Sequence, residues 1–411
     1  MRHVYSVTVS ITWLHLQLIA LFNKKIKLFV SGRRKTFSLL QNAIHEGDKA
    51  IWMHVASLGE YEQGLPLLEK LKSTYPDHKL VLTFFSPSGY EVKKNKTVAD
   101  IVTYLPMDTI ARTKRFLTIV RPELAIFIKY EIWPNYLFEL KKQKIPTLLV
   151  AALFSKRQVY FKFYGSFMRK SLQSFAHLFV QDHTSKQLLK TIGLDNVTIS
   201  GDTRFDRVSE ILTRDNTLDF MDTFCQGSIC VVAGSTWPED EEILIDFINS
   251  SEHAPKYVIA PHNIKTTHIE KLKTLFAPNA VCYSEIGKKD LAAYNVLIVD
   301  TIGLLTKIYS YADVAYVGGG FATGLHNTLE PAVFGIPVVI GPQYHGFKEA
   351  EDLVDRKGII AIETEVGFKA IMDALLSDKD FRSGTGKTNA DYIRGNTGAT
   401  MVILKHIEQL L

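Results

Sequence analysis

From about residue 50 onward the chain alternates short apolar runs, rich in β-branched and aromatic residues, with longer amphipathic ones, and this alternation narrows the possible folds most. The runs "AIWMHVA", "KLVLTFF", "DIVTYL", "LAIFIKY", "PTLLVAA" and "HLFVQ" come first, and "ICVVAG", "KYVIAP", "NVLIVD", "DVAYVGG", "IPVVIG" and "GIIAIE" follow. Helix-length patterns such as "NYLFELKKQ", "TSKQLLKTIG", "EDEEILIDFINS" and "HIEKLKTLF" separate most of them. Strands apolar on both faces need cover on both, so the pattern predicts an α/β fold of doubly wound parallel sheets. The segment "GDTRFDRVSEILTRDNTLDFMDTFCQG" breaks the alternation with Asp, Thr and Arg, and 411 residues suffice for two cores. The expected organisation is a segment 1–35, a domain 45–205, a linker 206–228, a second domain 229–390, and a helix 391–411 able to cross back onto the first domain. Ligands of such halves bind beyond the carboxyl ends of the strands, which puts the expected site in the cleft between them.

The formal charge of +5 invites a nucleic-acid reading, but its distribution argues against one. Residues 1–35 hold seven basic residues and no acidic one, leaving 41 basic against 43 acidic over the rest. That remainder has no excess charge for a phosphate backbone, so no nucleic-acid partner is expected. The basic residues flank "VYSVTVSITWLHLQLIALF", residues 4–22, which is uncharged apart from the titratable His15. Its six polar positions make it a marginal span, and an interfacial helix with Trp13 at headgroup level fits as well. Either way the positive flank stays cytoplasmic, which predicts association with a membrane surface, the alternative being that the segment is a buried first helix of the domain. Cys225, Cys230 and Cys282 form no C-x-x-C pair and read as reduced structural thiols.

Two stretches carry candidate chemistry. In "HVASLGEYEQG", Ser57 and Glu60 have the spacing of a capping box, so Glu60 is either a cap or a base. Gly59 and Gly64 flank it, and Pro66 would remove a helical hydrogen bond, which predicts a loop-like first turn with an open carboxylate. In "DVAYVGGGFATGLHNTLEPAVFG", a strand runs into three glycines that would let the backbone approach a ligand, before a helix start whose amides suit a phosphate. Glu330 there can accept from the vicinal hydroxyls of a ribose, while the absence of G-x-G-x-x-G and of a P-loop points away from dehydrogenases and NTPases.

Smaller signals follow the same placement at strand ends. "GSTWPEDEE" offers Ser235 or Thr236 as an N-cap whose hydroxyl can also touch phosphate or sugar. "KYEIWPNYL" sets Glu131 after a strand, with Pro134 opening a helix and Trp133 either core or sugar platform. Arg204 in "SGDTRFD" suits an ion pair at the domain boundary. The thirteen histidines show no ligand spacing, so no metal is expected, and G-x-S-x-G is absent.

Taken in order, "HVASLGEYEQGLPLLEKL", "TFFSPSGYE", "KYEIWPNYL", "SGDTRFDRV", "AGSTWPEDEE", "APHNIK" and "DTIGLL…GLHNTLEPA" resemble the Kdo transferases from about residue 45 to the end. The resemblance implies the GT-B fold, two Rossmann-like domains facing across a cleft, with an N-terminal membrane anchor. It implies transfer of 3-deoxy-D-manno-octulosonic acid (Kdo) from a CMP-Kdo donor to a lipid A precursor, at the cytoplasmic face of the inner membrane, by a metal-independent inverting displacement without cofactor. Carried over by motif, Glu60 matches the proton acceptor, and Glu131 and Arg204 match groups that stabilise the transition state. Ser57, Gly59, Ser235 and Thr236 join the substrate contacts. CMP contacts fall on Pro261, His262, Ile302, Gly303, Leu304, Asn327, Thr328, Leu329 and Glu330. The chain departs from the family pattern at "APHN", where P-R-H-P is usual. It departs again at Leu304, which stands for a carboxylate, at a shortened "GLHN" loop, and at Arg204, where Lys is commoner.

Overall fold

The computed structural model describes the whole chain except residues 252, 277, 278, 288 and 323. It divides into two units, Met1–Arg207 with Asn396–Leu411, and Val208–Gly395. The first contains β1 (Lys49–Val55), β2 (His78–Phe84), β3 (Ile101–Tyr104), β4 (Pro122–Ile128), β5 (Thr147–Ala152), β6 (His177–Val180) and β7 (Val197–Ile199). They form one sheet in the order β3-β2-β1-β4-β5-β6-β7, parallel throughout. Its helices are α1 (Arg2–Ile19), α2 (Lys24–Ala43), α3 (Leu58–Thr74), α4 (Pro87–Lys93), α5 (Ile110–Val120), α6 (Pro134–Lys142), α7 (Ser166–Leu172), α8 (His183–Lys190) and α9 (Thr203–Ser209).

Both faces of this sheet are covered, as its doubly apolar strands require. Trp52, Phe116, Phe127 and Tyr136 pack on one face, and Met53, Leu67, Leu80 and Ile126 on the other. Two short strands, β7 and, in the second unit, β10 (Ala280–Cys282), were not expected. Each is three residues long and lies at a sheet edge, where too few positions exist to display an alternation.

The second unit holds β8 (Cys230–Thr236), β9 (Lys256–Pro261), β10 (Ala280–Cys282), β11 (Val296–Ile298), β12 (Val314–Val317), β13 (Val338–Ile340) and β14 (Ile359–Ala361), in the order β10-β11-β9-β8-β12-β13-β14 and again parallel. Its helices are α10 (Asp219–Cys225), α11 (Pro238–Ser250), α12 (Thr266–Leu275), α13 (Leu305–Ile308), α14 (Leu329–Ala332), α15 (Lys348–Asp355), α16 (Glu365–Ser377) and α17 (Lys379–Asn396). Residues 206–228, expected as linker, include α10, whose Met221 and Phe224 are fully buried. The last helix, α18 (Ala399–Ile407), belongs to the first unit, where Ile403, Leu404 and Ile407 join the core. Asp206 receives the amides of Gly398 and Thr400 at 2.6 and 2.7 Å and so fixes the start of α18.

The N-terminal segment packs as the first helices of this unit, α1 and α2. No helix among the described residues is long and apolar enough to cross a membrane, because Ser6, Thr8, Ser10, Thr12 and Gln17 dilute α1. One face of α1 docks on the unit through Tyr5 on Phe167, Trp13 on Phe29, and Arg2 on Asn135 at 2.9 Å. The other face carries Val4, Val7, Ile11, Leu14 and Leu18, each between 52% and 65% exposed.

Candidate active site

The strand order switches between β1 and β4 in the first sheet and between β8 and β12 in the second, and most of the residues singled out from sequence lie on loops after the strands near those points. In the first unit, His54 on β1 is in register with Phe127 on β4, so the loop to α3 and the segment Lys129–Trp133 leave the sheet side by side. This parallel pairing explains why Glu60 and Glu131 meet.

The carboxylate's half of the capping box is present. Glu60 Oε2 accepts the Ser57 amide at 3.2 Å and the Ala56 amide at 2.5 Å. Oε1 has no hydrogen-bond partner among the described residues. Burial, with repulsion from Glu131 second, pushes the Glu60 carboxyl up to about 7, while the Ala56 and Ser57 amides and Lys129 only partly oppose it. The loop-like first turn is not found: α3 starts at Leu58 and continues through Pro66. The proline frees only the carbonyl of Glu62, a half-buried residue within reach of water, so the helix tolerates it. Glu60 therefore sits in a regular first turn, capping with one oxygen and free at the other.

Glu131 is held more completely. Its Oε2 accepts Trp133 Nε1 at 2.8 Å and lies 2.9 Å from Nε2 of the fully buried His54. His54 Nδ1 in turn meets Thr83 Oγ1 at 2.8 Å, and Trp52 Nε1 donates to the same hydroxyl at 2.8 Å. Trp133 is thus half-buried against the core and also a donor to Glu131. This relay joins residues up to 77 positions apart, and no spacing in the sequence could have revealed it.

Lys129 adopts φ 65°, a left-handed conformation unusual for a non-glycine residue, just where β4 ends. Tyr130 next to it is raised above its usual range, first by burial, then by Glu60 and Asp202, with Arg204 opposing. Tyr130 therefore lies in the field of both Glu60 and Arg204. The Arg204 guanidinium makes the ion pair expected of it, with Asp202 at 2.8 Å, and Asp202 is also bound by Gln63 at 2.8 Å.

In the second unit, Gly234 near the end of β8 pairs with Val317 at the end of β12, and Ser235 next to it adopts φ 55°. The expected N-cap at Ser235 or Thr236 is not observed. Pro238 sets the start of α11 one residue later, so Trp237 occupies the cap and Asp240 accepts its amide at 2.9 Å. The Thr236 hydroxyl is committed to Glu241 at 2.9 Å, whereas Ser235 Oγ has no partner among the described residues.

The glycine triplet is used differently from the expectation. A Cβ on Gly318 would lie 2.5 Å from Ser235 O, and one on Gly320 would lie 2.7 Å from Gly341 Cα. These glycines let backbone meet backbone within the unit. Fully buried Asp240 locks the arrangement, its Oδ2 accepting Gly319 N at 2.8 Å and its Oδ1 the Tyr316 hydroxyl at 2.7 Å.

Above this frame His262, directly after Pro261 and β9, stacks on Trp237 at 4.7 Å and on His326 at 4.6 Å, and Trp237 Nε1 donates to His326 at 3.0 Å. Burial and the neighbouring His262 lower His326 below its usual range. His326 and Trp237 were missed as site residues, although both lie within quoted motifs. The helix start after the glycines is a single turn, α14. Asn327 and Thr306 donate to the two oxygens of Glu330 at 2.9 and 2.8 Å, Leu329 supplies its amide to Asn327, and Thr328 Oγ1 is buried without a partner among the described residues. Ile302, 86% exposed, and Gly303, at φ 100°, form a projecting turn before Leu304 and α13. Gly59 faces open space. No group of three or more metal-ligating side chains occurs among the described residues.

Two doubly wound parallel α/β units give the chain a GT-B-like architecture. The fold resembles the UDP-GlcNAc 2-epimerase of Neisseria meningitidis bound to UDP-GlcNAc (TM-score 0.62, 14% identity, 88% of this chain and all of that one) and MurG of Acinetobacter baumannii (TM-score 0.58, 10% identity, 88% and 99%). At such identities the likeness concerns the fold alone.

Residues 31–207 match the model of the 3-deoxy-D-manno-octulosonic-acid transferase (Kdo transferase) family. The chain is 29% identical to the 3-deoxy-D-manno-octulosonic acid transferase of Aquifex aeolicus, over 80% of this chain and 87% of that protein. It is 26% identical to that of Haemophilus influenzae, over 96% and 94%. The chain is a glycosyltransferase enzyme related to the Kdo transferases.

Proposed function

We propose that this enzyme transfers Kdo from CMP-Kdo to a lipid A precursor by a single inverting displacement, with Glu60 as the base. The observation that carries the reading is the Glu60 carboxyl, anchored through one oxygen, unpartnered at the other, and raised to about 7. A base poised near neutral pH takes a proton most effectively. The acceptor hydroxyl attacks the anomeric carbon and its proton passes to Glu60 Oε1. A C–O bond forms as the bond to the phosphate breaks, and CMP leaves with the electron pair. Glu131, fixed by His54 and Trp133, and Arg204, held by Asp202, supply the fixed charges assigned to the transition state. The partners of the nucleotide would be His262, Ser235 and the Asn327–Glu330 turn.

The exposed stripe of α1, beside Lys24, Lys25 and Lys27, supports an enzyme resting on the cytoplasmic face of the inner membrane, where an amphiphilic acceptor resides. The test is CMP release from CMP-Kdo with and without lipid A precursor, with product mass as readout. Release that requires the acceptor and is lost in Glu60→Gln supports the reading. Conversion of the donor without acceptor would instead indicate an epimerase, and full transfer by Glu60→Gln would remove the base.

A further inference from the structure

Where α1, α2 and α5 meet, a cavity of about 200 Å³ is lined by Trp13, Gln17, Arg33, Arg34, Met107 and Arg112, among others. Three arginines around one small cavity are unusual in the absence of acids, and among the described residues none of the three pairs with a carboxylate. Arg33 is 4% exposed and immobilised: its Nη1 donates to Phe29 O at 3.1 Å, its Nη2 to Phe85 O at 2.7 Å, and its plane lies over the Phe29 ring at 3.5 Å. Its Nε is buried with no hydrogen-bond partner among the described residues. Arg112 lies 5.1 Å over Trp13, and Arg34 is exposed.

Three guanidinium groups line this cavity with no carboxylate among the described residues to balance their charge, and an anion bound there would balance it. Planar forks of this kind suit phosphate oxygens. Burial pulls the Arg33 guanidinium down to about 9, so it remains cationic at neutral pH.

The surroundings suggest the source of the phosphate. Trp13 and Gln17 each precede a residue of the exposed apolar stripe, Leu14 and Leu18, so the cavity lies along the edge of the face proposed to rest on lipid. It also lies close to the reacting groups. Arg33 packs over Phe85 at 4.8 Å, Phe85 on Trp133 at 4.9 Å, and Trp133 donates to Glu131.

We propose that this cavity is a binding site for a phosphate group presented by a membrane lipid, with Arg33 as its fixed floor and Arg34 and Arg112 as its closing donors. It is a second anion site, on helices that contribute none of the residues assigned to transfer. Occupying it would hold α1, α2 and α5 together and orient an amphiphile two ring contacts from Glu131.

The full-length protein and an Arg34→Gln/Arg112→Gln double variant are compared, sparing buried Arg33 so that folding is kept and can be verified by unchanged melting in phosphate-free buffer. Binding of inorganic phosphate is followed by 31P NMR, and co-sedimentation is measured with phosphatidylcholine vesicles containing phosphatidic acid or a carboxylate amphiphile at matched surface potential. The expected result is phosphate binding weakened at least about tenfold in the variant, together with loss of a wild-type preference for the phosphatidic acid vesicles. Equal phosphate binding by both proteins would overturn the site. Variant-sensitive phosphate binding with no preference between the vesicles would overturn its lipid source. The lipid arm rests on the interfacial reading of α1 and the phosphate arm does not, and neither reads transfer, so failure of this proposal is distinguishable from failure of the proposed reaction.

Discussion

The charge interplay between Glu60 and Glu131 gives a prediction that can be read from a pH–rate profile. With the Glu60 carboxyl at about 7, the base is half ionised at that pH, and one unit lower only about one molecule in ten carries a competent carboxylate. Because the ionised form is the active one in the proposed reaction, transfer should rise roughly tenfold between pH 6 and a plateau above pH 8. Glu131→Gln removes the charge that repels Glu60 but leaves an oxygen to accept from Trp133 and His54, so the acid limb should move to lower pH. Glu60→Gln should lower transfer by about two to four orders of magnitude at every pH and lose the limb altogether. Initial rates of CMP release in buffers of constant ionic strength measure all three. A wild-type rate flat from pH 5 to 8, or a limb that Glu131→Gln leaves in place or moves upward, would refute the reasoning. A stability corollary has a fixed sign. A carboxyl raised in the folded state holds its proton there more tightly than in the unfolded chain, so its ionisation withdraws stability as pH climbs from about 4.5 through 7. Glu60→Gln should therefore match wild type in melting temperature near pH 4.5 and exceed it at pH 8.

Three further outcomes test the frame around the site. Asp240→Ala strands the amides of Trp237 and Gly319 and the Tyr316 hydroxyl, and should cost roughly 3 kcal/mol in chemical denaturation, whereas Tyr316→Phe should cost only about 1 kcal/mol. Gly320→Ala drives a methyl to within 2.7 Å of Gly341 and should destabilise by about 1–3 kcal/mol, while Gly395→Ala, with open space around it, should be near neutral by the same assay. Thr328→Val removes a buried hydroxyl that has no partner and should leave the free protein as stable or more stable by about 1 kcal/mol; a clear loss would mean the hydroxyl is already satisfied.

The fold was legible because its physics is local and repeated. Strands such as β1, β4 and β12, buried along nearly their whole length, must be apolar at consecutive positions, and that demand is written into the sequence. The short edge strands β7 and β10 make no such demand and leave no pattern. Local rules also erred where tertiary contacts override them. Pro66 looked like a helix breaker because its lost hydrogen bond is intrinsic, yet Leu65, Leu67 and Leu68 bury the surrounding turns and α3 continues through it. The glycine triplet looked made for a ligand because sequence reports an absent side chain without saying what comes close; here it is Ser235 and Gly341.

By itself, then, the sequence determined the alternating architecture, the positions of Glu60, Glu131 and the Asn327–Glu330 turn at strand ends, and the apolar periodicity of α1, since each depends on neighbours along the chain. What only tertiary structure decided is which of these groups feel one another: that Glu131 is near enough to raise Glu60, that His54 reaches Glu131 from β1, and that three arginines from α2 and α5 converge beneath Trp13. The physical reason is distance. Charge and hydrogen bonding act through space over a few ångströms, and strand pairing brings together atoms that dozens of residues separate along the chain.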